Sequence, residues 1–277
     1  MTEPLRLLGV FAHPDDESLG CGGILARYAA EGVETYVVTA TRGERGRIGH
    51  ERPGAAIVAP VRERELRAAT AELGVREVTL LDYLDGELDR VDPRAAAARI
   101  AAHVRRIRPQ VVVTFAVDGG YGHPDHVAIS QLTAAALVAA ADPAFRPPTG
   151  VELPPAAHRV DKLYWMAWDE ANYRLYQEAI GGELISRVAG TERHAVAWPA
   201  WAITTRIEAD AHWPVVWRAV QRHESQITGY GGLAVLTPER HRELWGGGQS
   251  FVRVFSLVDC GEPPETDLFA GLRGAAR

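Results

Sequence analysis

Apolar runs and helical segments alternate through the first two-thirds of the chain. Runs rich in apolar and β-branched residues predict strands at 5–12, 34–41, 75–83, 110–116 and 162–168. Segments with helical spacing and end signals lie between them, at 18–32, 60–74, 92–109 and 125–141. Strands that alternate with helices predict a parallel sheet covered by helices on both faces. We therefore expect an α/β fold with a Rossmann-like, doubly wound, mostly parallel sheet of order 3-2-1-4-5.

The pattern changes beyond residue 170. Strand-like runs at 200–209 and 250–259 flank a helical segment at 213–227. We predict a Rossmann-like core of residues 1–170 and a C-terminal α+β cap of residues 171–277 that packs on it. The Gly- and Arg-rich segment 41–60 is predicted to be a long loop.

Composition and charge indicate which kinds of partner are not expected for this chain. The 277 residues are 47% hydrophobic and carry a formal net charge of −6, which is typical of an ordinary globular protein. No basic stretch stands out, so we expect no nucleic-acid partner. No run approaches the ~20 apolar residues of a membrane span, so we expect no membrane insertion. The N-terminal residues do not resemble a signal peptide, and a cytoplasmic location follows as an expectation.

The tripeptide His-Pro-Asp occurs twice, each time just after an apolar strand. The first copy begins at His13 and the second at His123. Alone, either copy also fits a helix start, with Pro in the first turn and Asp complementing the helix dipole. In the predicted topology, however, strands 1 and 4 are neighbours, and ligands bind in the crevice at their carboxyl ends.

His13, Asp16 and His126 meet at this crevice and predict a metal site. Three protein ligands and an open position are typical of catalytic zinc. We expect one Zn²⁺ per chain, with Fe²⁺, Co²⁺ or Mn²⁺ as competitors for the same ligands. The remaining histidines are interpreted as solvated: His50, His103, His158, His194, His212, His223 and His241.

Neighbouring residues are candidates for acid–base chemistry. Asp15 lies beside a predicted ligand and could take the proton of an activated water. His123 could donate a hydrogen bond or a proton to the oxyanion and leaving group, with Asp125 orienting its ring. Tyr121 is a second candidate donor to the oxyanion, and a packed ring on a loop is the alternative interpretation.

Two motifs together resemble those of the LmbE-like, or PIG-L, deacetylase family. They are "AHPDDESLGCGG" (12–23) and "GGYGHPDH" (119–126), and the resemblance covers about residues 5–135. It implies zinc ligands at His13, Asp16 and His126, a general base at Asp15, and an electrostatic stabiliser or acid at His123, tuned by Asp125, with Tyr121 contacting the oxyanion.

The resemblance also implies two substrate-binding residues. Arg62 would hold substrate hydroxyls or phosphate, and Asp85 would bind a sugar hydroxyl. A solvated helix face is the alternative for Arg62. A turn-forming Asp-Gly pair is the alternative for Asp85.

The expected function is zinc-dependent deacetylation of an N-acetylated amino sugar, a small-molecule conjugate of N-acetylglucosamine. A same-class alternative is an amidase that cleaves a mycothiol-type thiol conjugate. A different-class alternative is a nucleotide-sugar or dinucleotide-binding protein, although the G-x-G-x-x-G spacing is absent and the carboxylates at 15–17 would repel a pyrophosphate. The aromatics at 197–203 leave two interpretations open, the interface of a homo-oligomer or packing within the cap.

Overall fold

Five parallel strands form one half of the central sheet. They are β1 (Arg6–Phe11), β2 (Glu34–Thr41), β3 (Glu77–Tyr83), β4 (Val111–Phe115) and β5 (Lys162–Met166). The structure is a computed structural model that describes residues 4–188, 190–262 and 264–274. The strands lie in the order β3-β2-β1-β4-β5 and pair in parallel throughout. The predicted fold class and strand order are thus confirmed.

The C-terminal third adds to the same sheet. A separate hairpin, β6 (Ile185–Val188) and β7 (Thr191–His194), precedes β8 (Thr205–Ile207) and β9 (Gln249–Ser256). Strand β9 lies antiparallel between β5 and β8, so the main sheet has seven strands among the described residues. The division of the chain at residue 170 stays a proposal.

Helices cover the sheet. Their bounds are α1 (Asp16–Ala30), α2 (Ala55–Glu72), α3 (Pro93–Ile107), α4 (Gly119–Gly122), α5 (Pro124–Ala141), α6 (Glu170–Ile180), α7 (Trp213–Arg222), α8 (Glu224–Ile227) and α9 (Pro238–Gly246). Helices α3 and α5 pack together, while α7 packs against both α1 and α2. Within the described ranges, no helix has both the length and the apolar character needed to cross a membrane.

Local signals explain most helix ends. Asp92 caps α3, and its carboxylate accepts hydrogen bonds from the backbone N–H groups of Arg94 and Ala95 at 2.9 and 3.3 Å. The prediction of a loop up to residue 60 was wrong, because α2 begins at Ala55 and contains Pro60. That proline removes one intrahelical hydrogen bond, which a helix of 18 residues can absorb.

The predicted helix 213–227 is interrupted at His223. This residue has φ −82° and ψ 55°, which separates α7 from the single turn α8. Among the aromatics at 197–203, Trp198 donates its indole N–H to Asp118 at 2.9 Å, whereas Trp201 is 87% exposed.

Candidate metal centre and active site

His13, Asp16 and His126 converge at the carboxyl ends of β1 and β4. The two strands are hydrogen-bonded neighbours, so the loops that follow them open on the same edge of the sheet. Nδ1 of His13 lies 3.1 Å from Nε2 of His126. The carboxylate of Asp16 places Oδ1 at 3.4 Å from His126 Nε2 and Oδ2 at 3.8 Å from His13 Nδ1. All three side chains are buried.

The hydrogen bonds of the two imidazoles fix where their lone pairs lie. Nδ1 of His126 contacts the carbonyl oxygen of Gly119 at 3.1 Å, so it carries the proton and leaves the Nε2 lone pair free. Nε2 of His13 faces carboxylate oxygens of Asp125 and Asp85 at 3.0 and 3.2 Å, so its Nδ1 is the nitrogen that faces His126. A proton shared between the two facing nitrogens, or a cation bound by both, makes this close approach favourable.

The spacing of the donors fits a small divalent ion. For metal–nitrogen bonds of about 2.0–2.1 Å, the corners of a tetrahedron lie about 3.3 Å apart. Nε2 of His126 lies 3.1 Å from Nδ1 of His13 and 3.4 Å from Oδ1 of Asp16, both close to that value, whereas the 3.8 Å contact of His13 is with the other oxygen, Oδ2. Donor atoms of His13, His123 and His126 also lie within 4.8 Å of one another. The chain therefore contains a candidate His/Asp metal site.

Electrostatics at the centre favour a positive charge. Burial alone lowers the pKa of His13, but hydrogen bonds to Asp125 and Asp85 and the charge of Asp16 raise it to about 10. Burial raises the pKa of Asp16 to about 7, even though the nearby His13 opposes this shift. Burial and the two neighbouring histidines hold the pKa of His126 well below its ordinary value, so its ring is neutral. Such a cluster suits a cation held by a neutral imidazole.

Asp15 occupies a strained position beside this centre. Its φ of 102° is unfavourable for any residue but glycine and costs roughly 1–3 kcal/mol. Glu17 accepts a hydrogen bond from the Asp15 backbone N–H at 2.9 Å. Oδ2 of Asp15 accepts from Arg62 Nη2 at 3.0 Å and from the Tyr230 hydroxyl at 2.6 Å. No described group donates to Oδ1, which leaves that oxygen available for chemistry.

Arg62 links the loops that follow β1 and β2. Its guanidinium donates to the carbonyl oxygens of Pro14 and Gly43, the latter at 2.9 Å, as well as to Asp15. The side chain is buried, so the alternative of a solvated helix face is wrong. Its Nε has no hydrogen-bond partner within the described chain.

His123 is oriented by the backbone. Its Nδ1 accepts from the backbone N–H of Asp125 at 3.2 Å, so its proton is carried on Nε2. Burial and the positive charge of His13 lower its pKa to about 4, which makes the ring a neutral donor at pH 7. Its ring centroid lies 4.8 Å from that of His13, and the Tyr121 ring lies 5.0 Å from that of His126.

The carboxylate of Asp125 has different partners from those predicted. It accepts from the backbone N–H groups of Gly86 and Leu88 at 2.6 and 3.0 Å and faces His13, not the ring of His123. The prediction that the carboxylate of Asp125 orients the ring of His123 was therefore wrong. Asp125 lies in the first turn of α5, and its buried carboxylate fixes the ring of His13.

A cleft of about 450 Å³ opens over the centre. Seven of the nine predicted site residues line it: His13, Asp15, Asp16, Arg62, Asp85, Tyr121 and His123. His126 and Asp125 are almost completely buried. Asp85 also accepts from the backbone N–H of Arg45 at 3.0 Å, which ties it to the loop after β2.

Sequence reasoning missed Tyr230 and misjudged His223. The ring of His223 is completely buried, and its Nε2 lies 2.8 Å from a carboxylate oxygen of Glu17. His158 and His241 are also buried, so the solvated interpretation was wrong for all three. The burial of His223 could have been predicted from helical spacing, because the residue continues the buried face that Val216 and Val220 form on α7. Tyr230 lies in a loop, where no periodicity marks it.

Comparison with known proteins identifies the family to which the chain is similar. The family model described as "PIG-L: GlcNAc-PI de-N-acetylase" matches residues 8–137. A "1D-myo-inositol 2-acetamido-2-deoxy-alpha-D-glucopyranoside deacetylase" of Streptomyces avermitilis is 34% identical over 96% of this chain and 97% of its own. A "mycothiol S-conjugate amidase" of Streptomyces coelicolor is 32% identical over 100% of both chains.

A solved structure shares the whole fold. The crystal structure of "the conserved protein TT1542" from Thermus thermophilus is 28% identical, covers 92% of this chain and 97% of its own, and superposes with a TM-score of 0.64. The likeness thus extends through the C-terminal third, beyond the two motifs. On these matches, the chain belongs to the PIG-L family of de-N-acetylases.

Proposed function

We propose that this protein hydrolyses the acetamide of an N-acetylated amino sugar, a conjugate of N-acetylglucosamine. The observation that carries the proposal is the close approach of Nδ1 of His13 to Nε2 of His126, with the carboxylate of Asp15 in the same cleft. Full-length similarity to a deacetylase of an acetamido-glucosyl inositol supports the substrate class.

Zinc is the metal that we propose for the centre. Nδ1 of His13, Nε2 of His126 and Oδ1 of Asp16 would hold it, and Fe²⁺, Co²⁺ or Mn²⁺ would compete for the same donors. A bound zinc would supply Lewis acidity and lower the pKa of a water molecule toward ~7. The contacts of His13 with Asp125 and Asp85 would fix the ring and raise its strength as a ligand.

The residues around the metal site supply proton transfer and charge stabilisation. Asp15 accepts the proton of the attacking water through Oδ1 while Arg62 and Tyr230 hold Oδ2. Nε2 of His123 donates to the amide oxygen as negative charge develops there, and the Tyr121 hydroxyl is the second candidate donor. Asp15 then delivers the proton that it took from the water to the departing amine, since a neutral His123 ring that lost its Nε2 proton would become an imidazolate.

The cleft wall provides sites for a sugar. Asp85 and Arg62 line it, and we propose them for contacts with substrate hydroxyls, or with phosphate in the case of Arg62. A cytoplasmic location and a homo-oligomeric state stay predictions from the sequence.

A second candidate function is cleavage of the amide of a mycothiol S-conjugate. The amidase from Streptomyces coelicolor matches this chain over its full length at an identity close to that of the deacetylases, which favours this candidate. The same donors and the same base would serve, because both reactions hydrolyse an amide on an amino sugar.

The test combines metal analysis with amine release from three substrates. These are N-acetylglucosamine, its 1D-myo-inositol conjugate and a mycothiol S-conjugate. We expect one zinc per chain and the highest kcat/KM on the inositol conjugate. His126→Ala is expected to lose both zinc and activity, Asp15→Asn to keep zinc and lose at least a hundredfold in kcat, and the control His103→Ala to keep both. Full activity in Asp15→Asn would overturn the assignment of the base, and no amine release from any substrate would overturn the function.

A further inference from the structure

Tyr230 lies 215 positions from Asp15 in sequence, yet its hydroxyl donates to Oδ2 of Asp15 at 2.6 Å. We propose that Tyr230 is a positioning residue that fixes the carboxylate of Asp15, so that the C-terminal third takes part in catalysis. The inference rests on the proposed function, since it takes Asp15 to be the general base.

The loop that carries Tyr230 packs closely against α6. It follows α8, and the backbone N–H of Tyr230 donates to the carbonyl of Ile227 at 3.2 Å. Gly231 has a φ of +60°, and a Cβ there would lie 2.0 Å from the carbonyl oxygen of Ile180. A Cβ on Gly232 would lie 2.6 Å from the carbonyl oxygen of Ala179. The two glycines thus let the loop backbone lie directly against the end of α6, which fixes where the chain places Tyr230.

Two donors from different elements fix one oxygen of Asp15. Arg62 reaches Oδ2 from α2, and Tyr230 reaches it from the loop after α8. A single hydrogen bond would leave the carboxylate free to rotate, whereas two donors on Oδ2 hold Oδ1 toward the cleft. The second donor is a neutral hydroxyl, so it orients the carboxylate without adding a charge to the site.

The strain at Asp15 makes such a tether necessary. A residue at φ 102° keeps that conformation only where surrounding contacts enforce it. Glu17 holds its backbone N–H and Arg62 holds the preceding carbonyl of Pro14, but both contacts act on the backbone. Tyr230 and one nitrogen of Arg62 are the described groups that act on the carboxylate itself.

The test is a double-mutant cycle with Tyr230→Phe and Asp15→Asn, both measured on the zinc-loaded enzyme. A hydrogen bond to a charged group contributes about tenfold to a hundredfold, so Tyr230→Phe is expected to lower kcat by that factor with KM changed less than about twofold. In the Asp15→Asn background the same substitution is expected to change the residual kcat by less than about twofold. Zinc content is expected to stay unchanged.

Tyr173→Phe is the matched control. Its hydroxyl donates to the carbonyl of Ala195 at 3.0 Å, outside the cleft, so its removal is expected to leave kcat unchanged. Equal losses from Tyr230→Phe in both backgrounds would overturn the inference, because they show a role independent of Asp15. An unchanged kcat, or a change confined to KM, would overturn it as well. Full activity of Asp15→Asn alone would instead refute the proposed function.

Discussion

Asp125 lies beneath the metal site with its Oδ2 atom 3.0 Å from Nε2 of His13. The same carboxylate receives backbone N–H groups of Gly86 and Leu88, so it is held in place from the loop after β3. A carboxylate that is both buried and fixed in this way sets the tautomer of His13 and therefore the nitrogen offered to a metal.

We predict that Asp125→Asn weakens zinc binding by about 10–100-fold. The two backbone N–H groups bond to different carboxylate oxygens, so the amide oxygen can still accept only one of them, and the substitution also removes the negative charge that favours the Nε2 proton of His13. Competition with a chelator measures the affinity, and Asp142→Asn at the far end of α5 is the control. Equal zinc affinity in wild type and Asp125→Asn would contradict the prediction.

The buried pair of Glu17 and His223 predicts a large stability effect. Both side chains are completely buried, and removal of one partner of a buried ion pair costs about 3–5 kcal/mol. His223→Ala is expected to lower the free energy of unfolding by that amount in urea titrations. His223→Gln retains an N–H donor and should lose less of the free energy of unfolding. The control, His103→Ala, should lose little of it. A loss below about 1 kcal/mol in His223→Ala, the net worth of an ordinary hydrogen bond, would show that the pair contributes little.

A pair of glycines isolates the role of Arg62. Gly43 and Gly49 share a φ of +60°, but a Cβ on Gly43 would lie 1.8 Å from Nη1 of Arg62, whereas Gly49 has open space. Alanine at either site carries the left-handed backbone cost, about 1–2 kcal/mol. Gly43→Ala also has to displace the guanidinium that holds Asp15, so we expect its kcat to fall at least about tenfold while Gly49→Ala keeps its rate. Steady-state kinetics measure kcat of both variants, and urea titrations check that their losses of stability match. Equal kcat values in Gly43→Ala and Gly49→Ala would contradict the prediction.

Glu265 predicts a dependence of stability on pH. Its carboxylate binds Lys162 Nζ at 3.0 Å, and both side chains are completely buried. Burial alone raises the pKa of Glu265, but hydrogen bonds from Cys260, Lys162 and Tyr164 outweigh it and hold the pKa below its ordinary value of 4.5.

Because this pKa is lowered on folding, Glu265 stabilises the protein fully above pH 4.5 and loses that effect as the pH falls through the folded-state pKa. Glu265→Gln is therefore expected to cost about 3–5 kcal/mol at pH 7 and progressively less below pH 4.5. Urea titrations across pH measure this difference. The exposed pair of Glu170 and Arg174 gives the control, since Glu170→Gln should have little effect at any pH. If the free energy of unfolding lost in Glu265→Gln did not depend on pH, titration of Glu265 would be excluded as the cause of the pH dependence.

The sheet and the convergence at its edge could be predicted because both follow from local patterns. Apolar runs mark strands that are buried on both faces, and the order of a doubly wound sheet places the ends of β1 and β4 side by side. His13 follows β1 directly, and His126 lies in the first turn of α5, the helix that follows β4 and the short α4, so their convergence could be expected from the topology.

Side-chain direction and loop contacts could not be predicted in the same way. Spacing places Asp125 at the start of α5, but whether it faces His13 or His123 depends on the backbone of the loop after β3. Tyr230 reaches Asp15 through a turn whose path depends on α6. Contacts of this kind depend on the completed tertiary packing, which leaves no periodic trace in the sequence.

Strand β9 joins the sheet between β5 and β8, although it follows both of them in sequence. During synthesis, β5 therefore emerges with one edge unpaired while the ribosome still adds more than 80 residues, counted from Met166 to Gln249. An apolar strand with open backbone groups readily pairs with another chain. Recombinant production should accordingly be most vulnerable to aggregation during this interval, and slower translation or added chaperone would have its greatest benefit there.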